Sequence, residues 1–138
     1  MKMSHSNHRL KILLLEDNPY DMELTEAFLK TNCRCELHMA KNVESFQAAM
    51  GKGEPDLVIS DFRLHGFDGL IALKMARQKF PGVPFVFCSG DANPQHRAEA
   101  LALGASEFIS KDDAFALLGL IRRVAAKFEP SADAHAVA

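Results

Sequence analysis

Four apolar runs in this chain each lead into a residue that could do chemistry. Leu57-Val58-Ile59 runs into Asp61 and the loop FRLHGFDG, and KILLL at residues 11–15 runs into Glu16-Asp17. VPFVFC at 83–88 ends at Ser89-Gly90-Asp91, and the segment Glu107 to Ser110 ends at Lys111. If a fold brings these ends together, three carboxylates share a pocket with a hydroxyl and an ammonium. Two unit charges about 4 Å apart cost on the order of 4 kcal/mol at an effective dielectric of ~20, so the carboxylates need protons or a divalent cation. All-oxygen ligands with open positions suit Mg²⁺, which keeps its waters and prefers a couple of carboxylates with a phosphate oxygen. An anion with three oxygens would find metal, ammonium and hydroxyl around it, the charge stabilisation that phosphoryl transfer requires. Asp61 is then the nucleophile.

The ends meet only if the runs are neighbouring parallel strands, and the pattern between them predicts that. Lys11 to Leu15 reads as a first strand. Asn18-Pro19 starts a helix, asparagine as cap and proline at the first position, with Tyr20, Leu24, Ala27, Phe28 and Thr31 expected on its inner face. Cys35 to Met39 alternates and reads as a second strand at a sheet edge. Asn42 caps a helix carrying Val43, Phe46 and Met50 inward, stopped by Gly51-Lys52-Gly53. The unalternated β-branched run at 57–59 fits a strand covered on both faces. A third helix from Asp68-Gly69 buries Leu70, Leu73 and Phe80 and ends at Pro81-Gly82. After the fourth strand, Asn93-Pro94 repeats the cap-plus-proline start, with Ala98, Leu101 and Ala102 inward up to Gly104. The fifth strand is Glu107 to Ser110, and a last helix from Asp113 packs Leu117, Ile121, Val124 and Phe128.

Five strand-helix units imply an α/β fold with a parallel sheet between two helix layers, and right-handed crossovers leave few topologies. The flavodoxin-like (βα)5 order 2-1-3-4-5 is the natural one, and it sets the ends of strands one and three side by side. Residues 10–128 form the expected domain, with flexible ends at 1–9 and 129–138; no output module is expected after Phe128, although an excised domain would look the same.

Composition narrows the class. The chain has 138 residues, 48% of them hydrophobic, and a net charge of −2 with scattered basic residues, so it carries neither a nucleic-acid footprint nor a polybasic membrane patch. No apolar run approaches a membrane span and MKMSHSNHRL lacks a signal-peptide core, so the cytoplasm is the expected compartment. Cys33, Cys35 and Cys88 are an odd number and a poor disulfide framework. Cys33-Arg34-Cys35 with His38 lacks the second pair a structural zinc site needs, and of the histidines only His65 stands close behind Asp61.

Taken together, Glu16-Asp17, Asp61, Ser89 and Lys111 resemble, in order and spacing, the receiver domain of two-component response regulators. The resemblance covers residues 10 to 128 and is similar to a stand-alone, chemotaxis-type regulator. It implies that Asp61 accepts a phosphoryl group from a phosphohistidine. Asp17 and Asp61 would ligate Mg²⁺ together with the Arg63 carbonyl, and Glu16 would act through water. Ser89, Lys111 and the backbone of Phe62, Arg63 and Gly90 would bind the phosphoryl oxygens. Phe108 falls where the family carries its switch aromatic, turning into space vacated as Ser89 moves toward the phosphate. The implied partners are a sensor histidine kinase or histidine phosphotransfer protein and a downstream protein target, without direct nucleic-acid or membrane binding. A homodimer through helices four and five stays open. The only catalysis implied is the chain's own phosphorylation and dephosphorylation.

Two departures stand out: Asp112 replaces the proline that usually follows Lys111, and the Asp112-Asp113 pair can cap the last helix instead; His65-Gly66 stands where Pro-Gly is common. Arg63 and Asp91, each two residues after a site residue, could pair across the rim and shield an acyl phosphate from water, or be two solvated loop charges. Singly, each site residue has an ordinary structural reading; it is the joint arrangement that points to chemistry. A dehalogenase-type phosphatase would need an acid where Arg63 stands, and a flavodoxin-like cofactor would be repelled by Glu16-Asp17. A pseudo-receiver, using the fold only as an interaction surface, is the remaining alternative.

Overall fold

The computed structural model describes residues 8–65, 67–90 and 93–129. Strand β1 (Leu10–Leu15) leads to α1 (Pro19–Asn32), β2 (Cys35–Ala40), α2 (Val43–Met50) and β3 (Leu57–Ser60). Two two-residue strands, β4 (Arg63–Leu64) and β5 (Phe67–Asp68), pair antiparallel directly after Asp61, and α3 (Gly69–Lys79) follows. The chain then forms β6 (Phe85–Ser89), α4 (Pro94–Ala102), β7 (Glu107–Ser110) and α5 (Ala114–Ala126). The five long strands make one parallel sheet in the order β2-β1-β3-β6-β7, which is 2-1-3-4-5 when only those strands are counted.

Both faces of the sheet are buried. Leu13, Leu15, Val58, Phe85 and Phe87 pack on Phe46 of α2 and on Leu70, Leu73 and Ala76 of α3. Ile12, Leu14, Leu57, Ile59, Val86 and Ile109 pack on Leu29 of α1 and on Leu117, Leu120, Ile121 and Val124 of α5. Neighbours along one strand enter opposite cores, which is why the runs read as continuous apolar sequence.

Helix starts follow the caps in the sequence. The Asn18 side chain accepts from the Tyr20 and Asp21 amides, Asn42 forms a capping box with Ser45, and Asn93 accepts from the Gln95 amide. Asp113 caps α5 by accepting from the Ala116 amide, as the acidic pair suggested, and no described peptide bond is cis. At the end of α4, Gly104 takes a φ of +106°, where an L side chain is strained, and the Ala105 amide closes back on the Ala100 carbonyl at 3.0 Å.

Two inner faces differ from expectation. On α1, Tyr20 and Leu24 are 71% and 54% exposed and Ala27 and Thr31 also face out, whereas Met22, Phe28 and above all Leu29 pack inward. Of the predicted face only Phe28 points inward; at about 100° per residue the observed inner face centres about a third of a turn from the predicted one. Its polar and apolar residues are interleaved, and the deep pocket over the sheet is filled by Leu29. On α4, Ala98, Leu101 and Ala102 are exposed; Ala100 is fully buried and His96, one turn earlier, is half-buried. The N-terminus of α4 leans on Phe62 beside the site, and that contact sets its rotation. Phe128 lies beyond the end of α5, at the surface, stacked on the His8 ring at 4.0 Å.

Candidate functional site

Parallel pairing delivers the strand ends to one edge in step. Leu15 pairs with Ser60, so Glu16 and Asp61 emerge side by side, and Ser89 pairs with Ser110, so Lys111 leaves the sheet at the same edge two strands away. The backbone holds them there: the Asp61 amide donates to the Leu15 carbonyl at 2.9 Å, Glu16 to Ala40 at 3.0 Å and Lys111 to Ser89 at 2.9 Å.

At that edge the carboxylate oxygens of Glu16, Asp17 and Asp61 lie within 4.8 Å of one another. Lys111 reaches into the group, its Nζ donating to Glu16 Oε1 at 2.9 Å, Asp61 Oδ2 at 3.2 Å and Asp21 Oδ2 at 2.7 Å. Three carboxylates thus contact one ammonium, and Asp17 joins two of them in the acidic cluster. Burial pushes the Glu16 carboxyl above its usual range, against the pull of Lys111 and the Asn18 amide. Burial acts against the charge on Lys111 too, but the hydrogen bonds to Asp21 and Glu16 and the nearby charges outweigh it and lift the ammonium above its ordinary value.

The β4-β5 ribbon carries the chain from Asp61 back toward Asp17. The His65 amide and Nδ1 both meet Asp17 Oδ2, the latter at 3.0 Å. The Arg63 amide donates to Asp61 Oδ1 at 3.4 Å. Gly69, the first residue of α3, closes the ribbon: a Cβ there would lie 2.7 Å from the carbonyl oxygens of Asp61 and Phe62 and 2.8 Å from Phe87 Cε1. Only a glycine lets helix and loop approach this closely.

Ser89 is buried at the end of β6, and Phe108 is 6% exposed. The Phe108 ring sits edge-on to Phe62 with centroids 5.4 Å apart, and the far side of Phe62 stacks on His96 at 5.0 Å. Arg63 Nη2 lies 3.3 Å from His96 Nε2. The rim pairing with Asp91 falls outside the described residues.

The donor set fits a hard divalent cation. Every side-chain ligand is a carboxylate oxygen, the negative charges outnumber the positive, and Asp17 and Asp61 remain partly open to solvent, at 13% and 12% side-chain exposure. The structure adds two contributors to the site. His65, which stands close behind Asp61 in sequence, bonds Asp17, and Asp21 bonds Lys111 without standing out in the sequence. Its signal was its place in the first turn of a helix that starts at the edge where the strand ends gather.

A family model described as the response regulator receiver domain matches residues 12–122. Response regulator Rre1 of Synechocystis sp. is 28% identical over 128 residues, spanning 91% of this chain and 55% of that protein. The chain therefore covers about half the length of this curated relative, and less of several others. Among solved structures, the receiver domain of NtrX from Brucella abortus is 30% identical with a TM-score of 0.76, covering 83% of this chain and 98% of that one. The signal receiver domain of an HD domain-containing protein from Pseudomonas fluorescens Pf-5 is 26% identical with a TM-score of 0.77, covering 85% and 94%. With the family match spanning most of the chain and the strand order and site edge agreeing with it, this chain belongs to the response regulator receiver domain family.

Proposed function

We propose that this chain is a phosphoreceiver of two-component or phosphorelay signalling, taking a phosphoryl group onto Asp61. The observation that carries the reading is the convergence of Glu16, Asp17 and Asp61 at the sheet edge, with the Lys111 ammonium on Glu16 and Asp61. An Asp61 carboxylate oxygen attacks phosphorus and the P–N bond of a phosphohistidine breaks. The electron pair stays on the imidazole nitrogen, and an acyl phosphate is left on Asp61. Glu16, Asp17 and Asp61, with the Arg63 carbonyl, would hold Mg²⁺, which supplies neutralising charge for the phosphoryl oxygens. Lys111 gives a fixed positive charge, and the Ser89 hydroxyl a donor. Phe108, packed on Phe62 and Phe87, is the ring whose turn would carry the change at Ser89 to the face made by α4, β7 and α5.

On this reading the partners are a histidine kinase or phosphotransfer protein upstream and a protein target downstream, and the chain is no enzyme toward other substrates. The test is incubation with Mg²⁺ and acetyl phosphate followed by intact-mass measurement, repeated with Asp61→Asn and without metal. A gain of one phosphoryl group that vanishes in both controls supports the proposal. A folded wild-type protein that gains none from acetyl phosphate or phosphoramidate, and does not bind beryllofluoride with Mg²⁺, refutes it in favour of a pseudo-receiver.

A further inference from the structure

A lysine ammonium has three N–H donors, and here all three are engaged, by Glu16, Asp21 and Asp61. The three acceptors are not equivalent. Glu16 is nearly buried on β1's end and Asp21 stands on α1, so neither changes chemically when Asp61 reacts. Asp61 is the one acceptor whose oxygens are altered by phosphorylation, and its contact is the longest of the three at 3.2 Å. The shortest, 2.7 Å, is to Asp21. Asp21 is itself held: it lies in the first turn of α1, where its amide donates to the Asn18 cap at 3.0 Å.

We propose that Asp21 is a positioning residue for phosphoryl transfer, clamping the Lys111 ammonium together with Glu16 so that its third N–H points at the atom that receives the phosphoryl group. The inference rests on the phosphoreceiver reading and goes beyond it by assigning a role to a carboxylate outside the three-residue metal cluster. Without the clamp, Lys111 is a flexible four-carbon arm with one anchor, and part of its alignment is lost before reaction. When Asp61 becomes an acyl phosphate its negative charge moves onto the phosphoryl oxygens, and the donor it held passes to one of them while the other two stay in place. Asp21 touches no reacting atom in this scheme; it acts through Lys111.

The test uses the full chain with Asp21→Asn and Asp21→Glu, each at saturating Mg²⁺ measured for that variant. Phosphorylation by acetyl phosphate is followed by intact mass, and the Lys111 ammonium by ¹⁵N NMR of the side chain. The clamp predicts that Asp21→Asn slows labelling about tenfold and loosens the Lys111 ammonium signal, and that Asp21→Glu recovers both. Labelling of Asp21→Asn at the wild-type rate overturns the inference and leaves the phosphoreceiver reading standing. Slower labelling with an unchanged Lys111 signal also overturns it, because the effect then runs by another route. A wild-type protein that takes no phosphoryl group from acetyl phosphate or phosphoramidate and binds no beryllofluoride overturns both.

Discussion

Replacing Gly69 by alanine sets two known effects against each other, and the structure decides which wins. In an exposed helix interior, alanine is favoured over glycine by about 0.8–1.0 kcal/mol. At Gly69 the new methyl would stand 2.7 Å from the Asp61 and Phe62 carbonyl oxygens and 2.8 Å from a Phe87 ring carbon. Ordinary contact begins at 3.4 Å, so neighbours must yield by about 0.7 Å, and two of the three are backbone. Overpacking of this kind costs typically 1–3 kcal/mol, and the first turn of a helix gains only part of the alanine preference. The net expectation is destabilisation of about 1–2 kcal/mol, with Asp61 displaced and phosphorylation slowed. Gly119 is the comparison within the same chain. A Cβ there meets only the far end of the Arg123 side chain, at 3.3 Å, so Gly119→Ala in α5 should stabilise by up to about 1 kcal/mol. Urea unfolding of both variants against wild type reads the difference. A Gly69→Ala protein as stable as Gly119→Ala would refute the close-approach argument.

Two further outcomes follow from packing and burial. Leu29 is fully buried and Leu24 is 54% exposed, so Leu29→Ala should cost about 2–5 kcal/mol and Leu24→Ala within about 0.5 kcal/mol; equal losses by urea unfolding would mean that α1 is rotated otherwise. Burial pushes the Cys33 thiol up to about 12 and the Cys88 thiol up to about 11, and Lys111 is raised as well. In each case the folded state keeps a proton that the unfolded chain releases, so stability is full below about pH 9 and falls as pH rises through the thiol and ammonium range. Unfolding midpoints that rise between pH 9 and 11 would contradict this. At pH 8 the Cys88 thiolate is about one part in a thousand, so disulfide reagents should count Cys88 only after unfolding.

The site edge was legible because a parallel sheet converts position in sequence into position in space. Once KILLL, LVIS, the run ending at Cys88 and EFIS are accepted as neighbouring strands, their pairing leaves little freedom in where Glu16, Asp61, Ser89 and Lys111 emerge. The helices have no such rule. Along α1, Tyr20 and Leu24 offer apolar surface on one side and Met22 and Leu29 on the other, and only the depth of the groove over β1 selects between them. Along α4 the choice turns on a stack between His96 and Phe62, residues 34 apart in sequence. The β4-β5 ribbon was invisible for a related reason: two residues in each strand carry no period to read, and the ribbon depends on Gly69 letting α3 close against the Asp61 and Phe62 carbonyls. Asp21 and His65 reach the site through elements of this second kind, one on the helix whose facing was misread and one on the ribbon that was not expected. Residues at strand ends are thus announced by the sequence, whereas those that orient them arrive on elements placed by tertiary packing. The Leu29 and Leu24 comparison therefore bears on the site as well as on the core. The rotation that buries Leu29 is the same rotation that brings Asp21 within 2.7 Å of Lys111.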